Sequence, residues 1–195
     1  LKARIERLLH RCGFEAKGLF VMDGSTRSSH GNAYFTGFGK TKRIVFFDTL
    51  LNNLNGSEIE AVLAHELGHF KRRHVIKRIA LTFMMSFVFL FLLGYLMRQF
   101  WFFNGLGVEL PSAAMALVLF ALALPLFTFL LHPLSAMYSR KQEFEADRYA
   151  AENANAADLV SALVKLYKDN ASTLTPDPLH SAFYDSHPPA AMRIA

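Results

Sequence analysis

Two imidazoles four residues apart, with a carboxylate beside the first, form the segment His65-Glu66-Leu67-Gly68-His69. On a helix, residues so spaced lie one turn apart on the same face, and both rings reach a single ion. Zinc suits them, being bound by neutral imidazole at about 2.0–2.1 Å. Glu66 then stands where its carboxylate can take the proton from a water that the metal activates. A chance match on a polar helix face is the plain alternative. An apolar run leading straight into the motif weighs against it, since metal ligands need partial burial.

A catalytic zinc usually has three protein ligands and one open position. The metzincin extension would require glycine at position 72 and histidine at position 75, where this chain has Arg72 and Val75. His74 lies five residues beyond His69 and reads as a solvated or interfacial side chain. The third ligand must come from another element, and Glu143 is the best candidate. Glu143 and Asp147 are again four apart and share a helix face, from which Glu145 points away. That pair fits a carboxylate ligand followed by an aspartate that orients a ligand imidazole through its other ring nitrogen. Spacing alone leaves Glu145 and Glu152 open, and a surface helix with Arg140, Lys141 and Arg148 as ion-pair partners is the competing reading. The tail adds His180, His187 in Ser186-His187-Pro188-Pro189, and Arg193. A histidine and an arginine near the metal could stabilise the oxyanion formed when water attacks a peptide carbonyl. Proline-flanked histidines are also ordinary loop residues.

The elements that must position these groups are mostly helices. Ser57-Glu58-Ile59-Glu60 reads as a capping box with Ser57 as N-cap, opening the motif helix, whose buried face begins with Ile59, Val62 and Leu63. Further helices are expected over residues 133–150 and 157–169, and the chain starts on an amphipathic stretch with Leu1, Ile5, Leu8 and Leu9. Leu19–Met22, Ala33–Phe35 and Arg43–Phe47 are strand candidates, with Gly37 and Gly39 allowing a turn between the last two.

Composition sets the environment. Of 195 residues 52% are hydrophobic and only 19% charged, with 19 phenylalanines, too much apolar surface for a disordered chain. Cys12 is the single cysteine, which excludes a disulfide framework. Residues 79–97 and 113–131 are two charge-free runs of 19 residues. At about 1.5 Å per residue each reaches roughly 28 Å, close to a ~30 Å hydrocarbon core. A hydrophobic hairpin inside a large soluble core is the alternative. Between the runs, Trp101, Phe102 and Phe103 suit an interface, and Gly105, Gly107 and Pro111 suit a turn.

The net charge of +5 raises nucleic acid as a partner. Its densest block, however, is Lys71, Arg72, Arg73, Lys77 and Arg78, directly before the first run, where cations signal topology rather than a nucleic-acid footprint. Arg140 and Lys141 follow the second run, so both outer ends are expected in the cytoplasm, with the chemistry facing it. The expected protein is mainly α, an integral-membrane helical protein with a small β element. Residues 1–195 form a single catalytic region containing a membrane hairpin, 79–131. A start at Leu1 and an abrupt stop at Ala195 read as a segment of a longer protein.

Together these residues resemble the type I CAAX prenyl proteases, integral-membrane zinc metallopeptidases, and their bacterial relatives. The likeness runs through Asp23-Gly24-Ser25, Ser29-His30-Gly31-Asn32-Ala33-Tyr34-Phe35, Lys42-Arg43-Ile44-Val45 and the histidine motif. It continues through Glu143-Phe144-x-Ala146-Asp147, Ser181-Ala182-Phe183 and Ser186-His187-Pro188-Pro189. The resemblance implies a gluzincin-type metallopeptidase core, with one Zn²⁺ on His65, His69 and Glu143. It implies Glu66 as general base, Asp147 behind a ligand, and His187 and Arg193 holding the substrate or its oxyanion. It also implies that Asn32, Ala33 and Tyr34 line the cleft and pair with an extended substrate, which is β-augmentation in physical terms. Further N-terminal membrane helices around a large chamber are implied as well.

Expected partners are a peptide or protein substrate and a lipid bilayer, a bacterial inner membrane or its equivalent, with no nucleic acid. Heat-shock-type membrane quality-control proteases share the zinc motif, but the Ser29–Phe35 string favours the prenyl-protease branch. A catalytically silent zinc-binding membrane protein and a peripheral metalloprotease are the remaining alternatives.

Overall fold

The computed structural model describes residues 1–26, 31–37, 42–169 and 176–194. Ser29, His30 and Gly39 therefore lie outside the described residues. The chain divides into two compact units, one made of residues 1–73 with 136–195 and the other of residues 74–135.

The first unit begins with α1 (Lys2–Arg11), whose Ile5, Leu8 and Leu9 turn into the core while Leu1 stays exposed. Strands β1 (Leu19–Met22), β2 (Ala33–Thr36) and β3 (Arg43–Phe47) form a sheet in the order β1-β3-β2, parallel between β1 and β3 and antiparallel between β2 and β3. Alternate residues of β3, Ile44 and Phe46, are buried, as a strand covered on one face requires. β2 is an edge strand. A short α2 (Asp48–Asn53) leads to α3 (Gly56–Lys71), which buries Ile59, Ala61, Leu63, Ala64 and Leu67. After α7 (His132–Asn153), α8 (Ala156–Asp169) adds Leu159, Ala162 and Leu163 to the same core. Each Leu, Ile or Phe so buried contributes roughly 1.5–3 kcal/mol. The tail holds α9 (Pro178–Tyr184) and α10 (Ala190–Ile194).

The motif helix starts two residues earlier than its sequence suggests. Its N-cap is Asn55, not Ser57: Asn55 Oδ1 accepts from the Ser57 and Glu58 amides at 2.9 Å, and Glu58 accepts from the Asn55 amide at 2.8 Å. Glu60 is unavailable for a box because Arg4 and Arg11 of α1 hold its carboxylate. Glu58 is buried and also accepts from Ser161 at 2.6 Å and Lys165 at 2.8 Å, fastening α3 to α8. Burial would raise its pKa, but Lys165, Ser161 and the Asn55 amide together hold it below the ordinary value. A carboxylate depressed in the folded state adds stability that is present above its unfolded pKa and lost as pH falls through the folded one. Glu58→Ala should cost about 2–4 kcal/mol, from the lost cap and the lost buried bonds. Thermal melts should show the gap to the parent narrowing as pH drops below the carboxylate range.

α3 ends at Lys71 with Arg72 as C-cap, and Arg73, a non-glycine residue in the left-handed region (φ 56°), precedes the restart of the chain as a helix. That helix, α4 (His74–Leu96), opens the second unit and runs 23 residues. His74 is 1% exposed, so the expectation of a solvated or interfacial histidine was wrong. The connection includes a helix the turn residues did not announce, α5 (Phe100–Gly105). It buries Phe102 and Phe103 with Leu93 of α4 and with Ala116 and Leu119 of α6 (Ala113–Phe129).

Candidate metal centre

The site lies in the first unit, where α7 packs across α3 at Gly68. A Cβ at Gly68 would stand 2.9 Å from the Ala146 Cα and 3.1 Å from both the Ala146 carbonyl oxygen and the Tyr149 Cβ. Only glycine allows the two backbones to approach so closely. This contact turns the 143/147 face of α7 toward the 65/69 face of α3. Gly68→Ala should therefore separate the helices, at about 1–3 kcal/mol of overpacking, and weaken metal binding with no ligand changed. A lower melting temperature together with a raised metal dissociation constant is the expected readout.

Three side chains meet across this contact. The His65 and His69 Nε2 atoms are 3.1 Å apart, His65 Nε2 is 3.6 Å from Glu143 Oε2, and His69 Nε2 is 3.4 Å from Glu143 Oε1. Ligands at about 2.05 Å from a tetrahedral ion stand roughly 3.3 Å from one another, so these spacings fit one zinc-sized ion. The donor atoms all lie within 4.8 Å of each other, and among the described residues the cluster takes Glu143, not Glu145 or Glu152. Glu143 is buried, and its Oε2 has no aligned hydrogen-bond donor, although the His187 Nδ1 is 2.9 Å away. An orphaned carboxylate oxygen facing two imidazole nitrogens is costly by itself and is satisfied by a cation.

Behind the ligands, His65 Nδ1 donates to Asp147 Oδ1 at 2.8 Å, which leaves Nε2 with its lone pair toward the centre. Arg193 forks onto Asp147 in turn, Nη2 to Oδ1 at 2.6 Å and Nε to Oδ2 at 2.8 Å. The guanidinium is thus engaged with Asp147, with Nη1 3.8 Å from Glu143.

The charges are strongly coupled. Burial opposes protonation of His65, but Asp147 and Glu143 outweigh it and raise its pKa to about 9, so a proton and a metal ion compete for this ring. Burial would raise Glu143, yet His187 and His65 hold it well below the usual carboxylate range. Asp147, also opposed by burial, is held low by His65 and Arg193. Glu66 moves the other way: burial, aided by Glu143, pushes its pKa up despite His65, His187 and Arg193. Such a carboxylate is a better proton acceptor at neutral pH than an ordinary glutamate.

A cavity of about 160 Å³ opens beside these groups, lined by Asn32 and Ala33 together with His65, Glu66, Glu143 and His187, and by Leu159 and Leu163 on its apolar side. Ala33 is buried, while Tyr34 is partly exposed, pairs with Val45 and sets its ring against Phe47. Asn32 accepts from the Phe47 amide at 2.9 Å. His180 is not among the cavity-lining residues; its ring lies 5.0 Å from that of Tyr184, tilted by 37°. Arg140, read from the sequence only as an ion-pair partner and a topology cation, and Tyr167, not read at all, bind the backbone around His187. Their partners are 21 or more positions away, and no local pattern marks them.

Two histidines from one helix, a glutamate from a second, and a free carboxylate beside the first histidine define a metallopeptidase-type centre. The model of Peptidase family M48 matches residues 1–195, and the chain belongs to that family. It is 39% identical over 210 residues to CAAX prenyl protease 1 of Saccharomyces cerevisiae, covering 100% of this chain and 46% of that protein. The CAAX prenyl protease 1 homolog of Arabidopsis thaliana is 40% identical, at the same coverages. The crystal structure of S. mikatae Ste24p matches with a TM-score of 0.87 and 38% identity, over 99% of this chain and 48% of that one. The chain thus spans about half the length of the curated relatives it matches.

Proposed function

We propose that the chain is the catalytic part of a zinc-dependent membrane endopeptidase that cleaves peptides in the manner of the CAAX prenyl proteases it resembles. The observation that carries the reading is the 3.1–3.6 Å spacing of the His65, His69 and Glu143 donor atoms, with Glu66 beside them in a cavity. Two nitrogens and one carboxylate form a donor set that suits zinc. A bound ion would serve as Lewis acid toward the scissile carbonyl and the attacking water.

The rest is performed by the chain. Glu66 accepts the proton of the attacking water and delivers it to the leaving amine. Asp147 keeps His65 in the tautomer that binds metal, and Arg193 keeps Asp147 ionised and in place. His187, with 65% of its side chain exposed at the cavity, is the group that steadies the oxyanion. Arg193 is secondary in that role, because its fork is on Asp147. The open edge of β2, at Asn32 and Ala33, offers main-chain groups for an extended peptide.

The bilayer part of this reading is supported by α4 and α6. α4 is long and apolar enough to cross a membrane, and it turns Phe87, Leu90 and Phe91 outward at 64–81% exposure. α6, with 17 residues, spans roughly 26 Å and exposes Leu122, Leu126 and Phe127. Apolar surface of that extent calls for an apolar solvent. The cations at Lys71–Arg73 and Arg140–Lys141 favour a cytoplasmic catalytic unit.

The test is cleavage of a prenylated C-terminal peptide by the whole protein in detergent. Activity should vanish after treatment with a zinc chelator and return with about one equivalent of zinc. Cleavage that is indifferent to chelation would refute the metal mechanism. Equal cleavage of the unprenylated peptide would remove the prenyl-protease part alone.

A further inference from the structure

His187 is the exposed tip of a turn whose two flanks are tied to the helices that carry the site. Arg140 lies three residues before Glu143 on α7. Its Nη1 donates to the carbonyl oxygens of Ser181, at 2.9 Å, and Asp185, at 3.1 Å. These belong to the last turn and C-cap of α9: the Ser181 carbonyl also accepts from the Asp185 amide at 3.2 Å, and the Asp185 carbonyl lies past the end of the helix. On the other flank, the Tyr167 hydroxyl of α8 donates to the Pro188 carbonyl at 3.0 Å. Ser181 and Pro188 are both buried, whereas His187 between them is exposed. The proline that follows also confines His187 to extended backbone.

The two ties differ in chemistry. A guanidinium binding two carbonyls is a charge-assisted clamp, and Arg140 sits on the same helix as Glu143, so it fixes the turn relative to a ligand. The phenol gives the turn one neutral bond that fixes it relative to α8, and its oxygen also faces the Arg193 guanidinium. Together they set where the imidazole stands over the cavity, with its Nδ1 2.9 Å from Glu143 Oε2. Neither side chain touches the cluster of His65, His69 and Glu143 through any of these bonds.

We propose that Arg140 and Tyr167 are positioning residues for catalysis, holding the His187 turn so that its imidazole meets the oxyanion of the reacting carbonyl. The proposal rests on the reading of His187 given above. A misplacement of about 1 Å at such a group costs on the order of 100-fold in rate, so the ties affect turnover more than binding.

The test is a mutant cycle in the whole protein, with a prenylated C-terminal peptide as substrate and zinc content measured throughout. His187→Ala should lower kcat by about 100-fold, with KM and zinc unchanged. Arg140→Ala should lower kcat by about 10-fold with KM and zinc kept, Arg140→Lys should recover part of it, and Tyr167→Phe should cause a smaller loss. In the His187→Ala background, neither Arg140→Ala nor Tyr167→Phe should lower kcat further. Losses that multiply with that of His187→Ala would overturn the proposal, as would full kcat in both single variants while His187→Ala is impaired. A silent His187→Ala would overturn the reading beneath it, a distinct result. If Arg140→Ala fails to fold, Tyr167→Phe, which lacks only a hydroxyl, carries the same cycle.

Discussion

Glu66→Gln should retain its metal and its fold and lose proteolysis. Glutamine keeps the volume and one hydrogen-bonding oxygen of the side chain but cannot accept a proton. General base catalysis contributes about 100- to 10,000-fold, or roughly 3–5 kcal/mol of barrier. Glu66 is not a member of the donor cluster, which consists of His65, His69 and Glu143, so zinc content should be unchanged. Glu66 is also half-buried, next to the buried Glu143 carboxylate, and burial works against its charged form. The neutral variant should therefore melt at the same temperature as the parent or slightly above it, a case of stability traded for activity. Peptide cleavage, zinc analysis and a thermal melt on one preparation check all three statements. A Glu66→Gln protein with parental kcat would end its assignment as the base.

Glu143→Ala should abolish activity by another route, through loss of the ion. The variant leaves two imidazoles from one helix and no metal ligand on α7. Loss of an outer partner of a metal ligand typically costs 10- to 100-fold in affinity, and loss of a ligand should exceed that. Competition with a chelator of known affinity measures the change. Structural effects should follow, because the Glu143 carboxylate also faces His187 and Arg193. Removing it takes one of two carboxylates from the largely buried Arg193, so the tail should become more exposed to proteases. Activity should not return at moderate zinc concentrations, which separates this variant from Gly68→Ala, where all three donors remain.

Local patterns made much of this legible, and long-range contacts account for the rest. The 65/69 and 143/147 spacings each read as one face of a helix, and the strands at 19–22 and 43–47 have the bounds expected from their apolar runs. Spacing could not choose among Glu143, Glu145 and Glu152, because the choice depends on how α7 crosses α3. The Gly68–Ala146 approach decides it, and glycine within the motif was its one sequence sign. The N-cap was misread because Asn55-x-x-Glu58 and Ser57-x-x-Glu60 both fit a capping box. Arg4 and Arg11, some 50 residues upstream of Glu60, break the tie. His74 read as solvated or interfacial because it lies five residues beyond His69, off the motif face, yet it is buried at the start of an apolar helix. The bonds of Arg140 and Tyr167 to the His187 turn had no local signal.

The central claim is that one metal ion is held by His65, His69 and Glu143. Elemental mass spectrometry of the purified whole protein, parent beside Glu143→Ala, tests it most directly. About one zinc per chain in the parent, lost or much weakened in the variant, is the expected result. A folded, active parent without metal, or a variant with its full complement, would contradict the account.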